Sequence, residues 1–268
     1  MTSSVQSGTT QLPTRASTSQ RLLRLLNLAA FIGMVTVNAL AVTLPLNGLT
    51  PGEVSAIYPS LFTPAGYVFS IWSLIYLTLA IFIVYQLLPS QQYNPRLARL
   101  GPLFIVTCLL NAGWLFAWHY LQTLLSLPLM LGLLVSLILC YERLGIGKST
   151  VSRRENLAVR LPFSLYLGWI TVATVANVSV FFLALGVRIN WFTPAWALLA
   201  IIAATLIGAT VLRRRGDVAY TLVLVWAFFG IAVRQWGTDV LLMIGALGAA
   251  LYLADLTFRR RPQRSKST

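Results

Sequence analysis
Ionisable side chains are scarce in this sequence: 10% of its 268 residues are charged, six are acidic and one is a histidine. That scarcity excludes an ordinary soluble domain, in which about a quarter of residues are charged. It also removes the usual equipment for hydrolysis and metal chemistry. No Ser/His/Asp set, paired carboxylates or multi-ligand cluster can be picked out, so neither catalytic nor metal-binding residues are expected. The two cysteines, Cys108 and Cys140, fall inside apolar runs, where cysteine is more often core filling than a disulfide or a metal ligand. Carboxylates avoid the middles of those runs. Glu53, Glu142, Glu155 and Asp217 read as loop residues, Asp239 opens the last run and Asp255 lies near its end. A carboxylate-driven pump is therefore disfavoured, whereas Na⁺-coupled or uncoupled transport stays open.

What the sequence does have is apolar length: 57% of it is hydrophobic. A bilayer core of about 30 Å is crossed by roughly 20 apolar helical residues. Such stretches run near 22–44, 64–88, 102–121, 124–141, 161–185, 194–212, 218–236 and 239–258. The expected class is all-α: a polytopic transmembrane bundle of about eight spans in a lipid bilayer. A Thr-Pro pair opens two of them, Thr63-Pro64 and Thr193-Pro194, each placing an N-cap hydroxyl before a proline that loses nothing in a first turn. Residues 1–21, rich in Ser, Thr and Gln, read as a disordered cytoplasmic arm, and 259–268 as a basic tail. The plasma membrane is the default; the arm, with Arg15 and Arg21, is a poor organelle-targeting segment.

The net charge of +14 does not imply nucleic acid, because the basic residues are not spread evenly. Eighteen of the twenty fall in alternate inter-span segments, as an even number of spans with both termini cytoplasmic requires. Losing one span from the count would scramble that asymmetry. The Arg-rich stretch from Glu142 to Arg160 is the longest internal cytoplasmic loop, and it would meet anionic headgroups.

Aromatic and amide residues recur at helical spacing. Phe69, Trp72 and Tyr76 share a face of the second span; Asn111, Trp114 and Trp118 share one of the third; Tyr166, Trp169, Ala173 and Asn177 share one of the fifth. One reading is anchoring at headgroup depth plus interhelical hydrogen bonds. The other is a shared pocket for a flat, largely apolar ligand oriented by indole and phenol donors. His119, beside Trp118 and Tyr120, is read as a member of an interfacial aromatic belt in preference to an axial haem ligand.

At these residues the sequence resembles the translocator protein, or tryptophan-rich sensory protein (TspO/MBR), family. TPAGYVFSIWSLIYL (63–77) resembles the Pro-Pro and Trp-x-x-x-Tyr start of that family's second helix, LLNAGW (109–114) its third-helix Leu-x-Asn motif, and LPFSLYLGWITVATVAN (161–177) its fifth-helix pattern. The resemblance implies a five-helix domain over 22–186 that binds a porphyrin, a haem-type tetrapyrrole or a sterol-like molecule, with no cofactor required. It carries ligand binding onto Trp72, Asn111, Tyr166, Trp169, Ala173 and Asn177; the stripes add Tyr76 and Trp114. Some members are reported to degrade protoporphyrin in light, with these tryptophans implicated. The sequence departs from the pattern where Thr63 replaces the first proline. Tyr58, Pro59 and Leu61 stand where the family's first external loop carries Trp-Tyr and Lys-Pro-x-Trp. A sterol-type string, Leu137 to Arg143 around Tyr141, falls on the fourth span, not the fifth where the family has it.

Residues 187–258 read as a three-helix extension. Gly245, Ala246, Ala249 and Ala250 at small-residue spacing serve either packing on the bundle or a homodimer contact. Three functions compete: capture of a small hydrophobic ligand, transport of it, and its breakdown by a membrane enzyme.

Overall fold
The computed structural model describes residues 18–44, 46–58, 60–187 and 192–259. Eight long helices run through it: α1 (Thr18–Thr43), α2 (Ile71–Leu87), α3 (Leu103–His119), α4 (Thr123–Arg143), α5 (Leu161–Ala184), α6 (Phe192–Arg215), α7 (Val218–Gln235) and α8 (Val240–Phe258). Seven, with α2 and α5 counted together with the turns that lead into them, are long and apolar enough to cross a membrane; α3 is a shorter apolar helix of 17 residues. At about 1.5 Å per residue α3 reaches about 25 Å, slightly under a hydrocarbon core. The architecture is the expected polytopic bundle. Large apolar side chains such as Leu77, Leu124, Leu206 and Leu251 point outward, as lipid-facing residues do.

The helices close by pairwise packing. α1 lies on α2 and α3, α3 on α4, α4 on α5, and α5 on α2, which completes a ring of five. α6, α7 and α8 pack on one another, and α7 joins them to α5. Gly168 permits that junction, because a Cβ there would sit 3.0 Å from the Tyr220 carbonyl oxygen. Hydrogen bonds lock it. Tyr220 donates to Thr171 Oγ1 (3.0 Å), and Asp217, the N-cap of α7, accepts from Ser164 (2.6 Å), Tyr141 (2.9 Å) and the Tyr220 amide (3.0 Å). The small-residue stripe of α8 is used inside the chain: Ala246, Ala249 and Ala250 are buried, and Leu198 of α6 comes within 3.2 Å of a Cβ built on Gly245.

Boundaries differ from the sequence reading at three places. α1 starts at Thr18, ahead of the expected Leu22. The stretch before α5 is mostly helical, a short helix Arg153–Glu155 running into a π turn Asn156–Arg160, so the irregular loop shrinks to 144–152. Arg160 turns back to hold it, donating to the carbonyls of Leu144 and Gly145 and to Ser149 Oγ. The third difference concerns Thr63, which does not cap a helix. A 3₁₀ turn spans Gly66–Ser70 with no side-chain cap, and regular α geometry begins only at Ile71. The Ala65 amide and the Val68 carbonyl also reach α7, while the Val68 amide closes the turn on the Ala65 carbonyl. The Thr193 side chain, Pro59, the arm before residue 18 and the tail after 259 lie outside the described residues.

Candidate functional site
Between α1, α2, α3 and α5 lies a cavity of about 510 Å³, within the about 300–1,000 Å³ usual for small-molecule sites. Six aromatic residues border it: Phe69, Trp72, Tyr76, Trp114, Trp118 and Trp169. Trp72 is their hub. Its ring lies 5.4 Å from Tyr76 in a stacked arrangement, 5.9 Å from Tyr166 and 6.1 Å from Trp169 edge-on, and 6.5 Å from Trp114. Offset and edge-to-face pairs at such distances stiffen a wall through ring quadrupoles as well as contact area. Trp114 Nε1 and Trp169 Nε1, on two of the bordering residues, are buried without a hydrogen-bond partner.

The structure brings Trp72, Tyr76, Trp114, Trp169, Ala173 and Asn177 to the cavity lining. Asn111 and Tyr166 stand behind it. Both are fully buried, and they form a relay in which Asn38 donates to Asn111 Oδ1 (2.8 Å) and Asn111 Nδ2 donates to Tyr166 Oη (3.0 Å). Their role is to fix α1, α3 and α5 beneath the aromatic wall. Asn177 is held from α4, where Ser126 donates to its Oδ1 at 3.1 Å. His119 is buried at the end of α3 with Nδ1 2.8 Å from the Leu115 carbonyl, and it does not border the cavity. Tyr141, centre of the sterol-type string, is buried and donates to Asp217, so it is not offered to lipid. Cys108 and Cys140 are buried and unpaired.

Among the lining residues that escaped the sequence reading, two groups lie on elements to which it assigned no part of the site. One is the inner face of α1, with Val35, Asn38, Ala39 and Val42; an asparagine in an apolar run was the available signal. The other is a short helix, Pro51–Ile57, whose Pro51, Gly52 and Ser55 roof the cavity together with Thr50. Thr50-Pro51-Gly52-Glu53 is a capping box, readable as such. The Thr50 amide (2.7 Å) and hydroxyl (2.8 Å) donate to Glu53 Oε2, and the Glu53 amide donates back to Thr50 Oγ1 (3.3 Å). The roof is tied to α3 at two points. Trp118 Nε1 donates to the Pro51 carbonyl (3.4 Å), and Asn47 donates to the His119 carbonyl (3.1 Å).

Those bonds, the Thr50 amide first and its hydroxyl second, hold the Glu53 carboxyl below the usual carboxylate range. A lowered value means that the cap is intact above that range and is lost as pH falls through the lowered one. Amide exchange over 51–57, corrected for the chemical rate, is expected to stay flat near neutral pH, to start rising as pH falls through the ordinary carboxylate range, where the opened segment takes up its proton, and to level off below the lowered value. Thr50→Val should raise it already at neutral pH, and Glu53→Gln should flatten the acid response. An unchanged acid response in Glu53→Gln would show that another group controls the roof.

Compared with known proteins, the chain matches the family model described as TSPO-like protein over residues 24–258, which takes in all but the first residues of α1 and the whole of α2 to α8. Comparison with curated proteins and with solved structures gives no match.

Proposed function
The chain belongs to the TSPO-like protein family, and we propose that it is an integral membrane protein that reversibly captures a planar, largely apolar molecule between α1, α2, α3 and α5. The observation that carries this reading is the wall itself: six aromatic residues around about 510 Å³, with no Lys, Arg, His, Asp or Glu among the described lining residues. Charge inside such a wall would lack a counter-ion, and an unpaired ion is costly away from water. The ligand it suits is therefore uncharged, or carries its charges at the mouth. A porphyrin or a sterol-like molecule meets that condition. In this reading residues 22–186 form the binding domain, 187–258 an added three-helix unit, both termini are cytoplasmic, and the Pro51–Ile57 roof faces the outer side.

The test uses protoporphyrin IX and its dimethyl ester, titrated against the full chain in nanodiscs with tryptophan fluorescence as the readout. Saturable quenching is expected with both, the ester binding at least as tightly as the diacid. A diacid bound about tenfold more tightly would mean that its carboxylates meet cations, against an uncharged ligand. No saturable quenching with either would remove tetrapyrroles.

Transport is the second reading, favoured by the irregular backbone at 61–70 that borders the cavity, since transporters place broken helices at their binding sites. Gradient-driven flux of the ester into vesicles would establish it. Product formation that needs light and oxygen would establish breakdown.

A further inference from the structure
None of the described lining residues comes from α6, α7 or α8, yet α7 holds part of the wall. It lies against α5 on one side and against Gly66–Ser70 on the other. Three hydrogen bonds join it to the segment before α2. The Ala65 amide donates to the Gly230 carbonyl (3.0 Å), Trp226 Nε1 to the Val68 carbonyl (3.1 Å), and Gln235 Nε2 to the Leu61 carbonyl (2.8 Å). Tyr67 adds an edge-on ring contact with Trp226 at 5.5 Å. That same segment supplies Thr63, Pro64, Gly66, Phe69 and Ser70 to the cavity.

The arrangement answers a requirement of membrane burial. Pro64 has no N–H to give, and regular helix starts only at Ile71, so the segment lacks a full intrahelical ladder. α7 supplies partners for the Ala65 amide and the Leu61 carbonyl and a second donor for the Val68 carbonyl. The close approach depends on Gly230: a Cβ there would lie 2.1 Å from Val68 Cγ2 and 3.3 Å from Pro64 Cβ. Trp226, Gly230 and Gln235 lie outside the lining, so their effect on a bound molecule can only be indirect.

We infer that α7 is a clamp on the cavity wall, and that Trp226, Gly230 and Gln235 are positioning residues that set how readily segment 61–70 swings away and hence how fast a ligand enters and leaves. This gives the three-helix unit a task. The inference rests on the cavity being the binding site, but its first readout needs no ligand.

The experiment is hydrogen exchange on the full chain in nanodiscs, paired with stopped-flow dissociation of protoporphyrin IX dimethyl ester. Trp226→Phe with Gln235→Leu removes two of the three bonds while keeping a ring at 226. Exchange of peptides covering 61–70 is expected to quicken about tenfold, the scale of one or two lost hydrogen bonds, with 161–184 unchanged. Dissociation of the ester should quicken in step. Gly230→Ala should do the same by collision with Val68, and adding Val68→Ala should restore both rates. Trp236→Phe, at a ring 78% exposed beyond the end of α7, is the control that should match the wild type. Unchanged exchange over 61–70, or a rise spread evenly over all helices, overturns the clamp. Ester rates that ignore a loosened segment overturn its control of access. Loosening as expected in a protein whose wild type never binds the ester keeps the clamp and sinks the binding reading.

Discussion

Trp72→Ala combined with Trp169→Ala is expected to weaken binding of protoporphyrin IX dimethyl ester about 10- to 100-fold. The size follows from the solvent the ligand leaves. A molecule arriving from lipid tails gains little hydrophobic free energy, since the tails are as apolar as the cavity. Its gain is ring–ring contact, worth about 0.5–1.5 kcal/mol for each aromatic pair, so two lost rings remove about 1–3 kcal/mol. Trp72 touches Tyr76, Tyr166, Trp114 and Trp169, so its loss also loosens neighbours that stay in place. Trp72→Phe, which leaves a ring at the hub, should cost only a few-fold. Trp236→Ala, at an exposed ring, should cost nothing. Wild-type affinity in the double variant, in a protein that keeps its helical content and melting temperature, would place the binding site elsewhere.

The contrast between what could and could not be read from the chain follows the range of the interactions involved. The helices were legible because lipid makes their condition local: an uninterrupted apolar run must satisfy its own backbone. The aromatic faces of α2, α3 and α5 were legible as stripes, since 3.6-residue periodicity alone places Trp72 and Tyr76, or Trp169 and Asn177, on one side. Periodicity fixes a face but not a depth. Asn111 and Tyr166 belong to the same stripes as Trp114 and Trp169, yet they lie one level deeper, bonded to each other, with Asn111 bonded also to Asn38, and are not among the described residues that line this cavity.

The Thr63 cap and the onset of regular α geometry in α2 were misread for the opposite reason. Thr63-Pro64 has the local chemistry of a helix start, but the chain first makes a 3₁₀ turn, Gly66–Ser70, seated on α7 by Gly230, 165 positions after Ala65, whose carbonyl accepts that residue's amide. Nothing near Ala65 in the sequence announces this. Gly230 itself reads as an ordinary glycine in an apolar helix, and only the position of Val68 shows that no other residue fits. The roof helix lies between these cases. Its capping box was written in four consecutive residues, while its attachment to Trp118 and His119 was not.

Asp217 carries the same lesson into energetics, and Asp217→Ala is expected to be the most destabilising single change at the junction of α4, α5 and α7. By sequence it is a polar residue in a short basic loop, which suggests exposure. In the fold it is buried and accepts three hydrogen bonds, from Tyr141 on α4, Ser164 on α5 and the Tyr220 amide in the first turn of α7. Alanine removes the cap and leaves two buried hydroxyls to find other partners. Loss of an N-cap costs about 0.5–2 kcal/mol and each stranded buried polar group about 1–3 kcal/mol. Partial re-pairing of the hydroxyls reduces the sum to about 3 kcal/mol, a fall of about 6–12 °C in melting temperature if the slope of large soluble domains applies. Asp217→Asn keeps an acceptor for the Tyr220 amide and should lose about half as much. Because Tyr220 also donates to Thr171 on α5, the loss should appear as separation of α7 from α5. Exchange should therefore rise first in 161–172 and 217–224, before it rises in α1. Melting of Asp217→Ala within a degree of the wild type would show that solvent or lipid headgroups replace all three bonds, and that close packing at Gly168 and the Tyr220–Thr171 bond suffice to hold the junction.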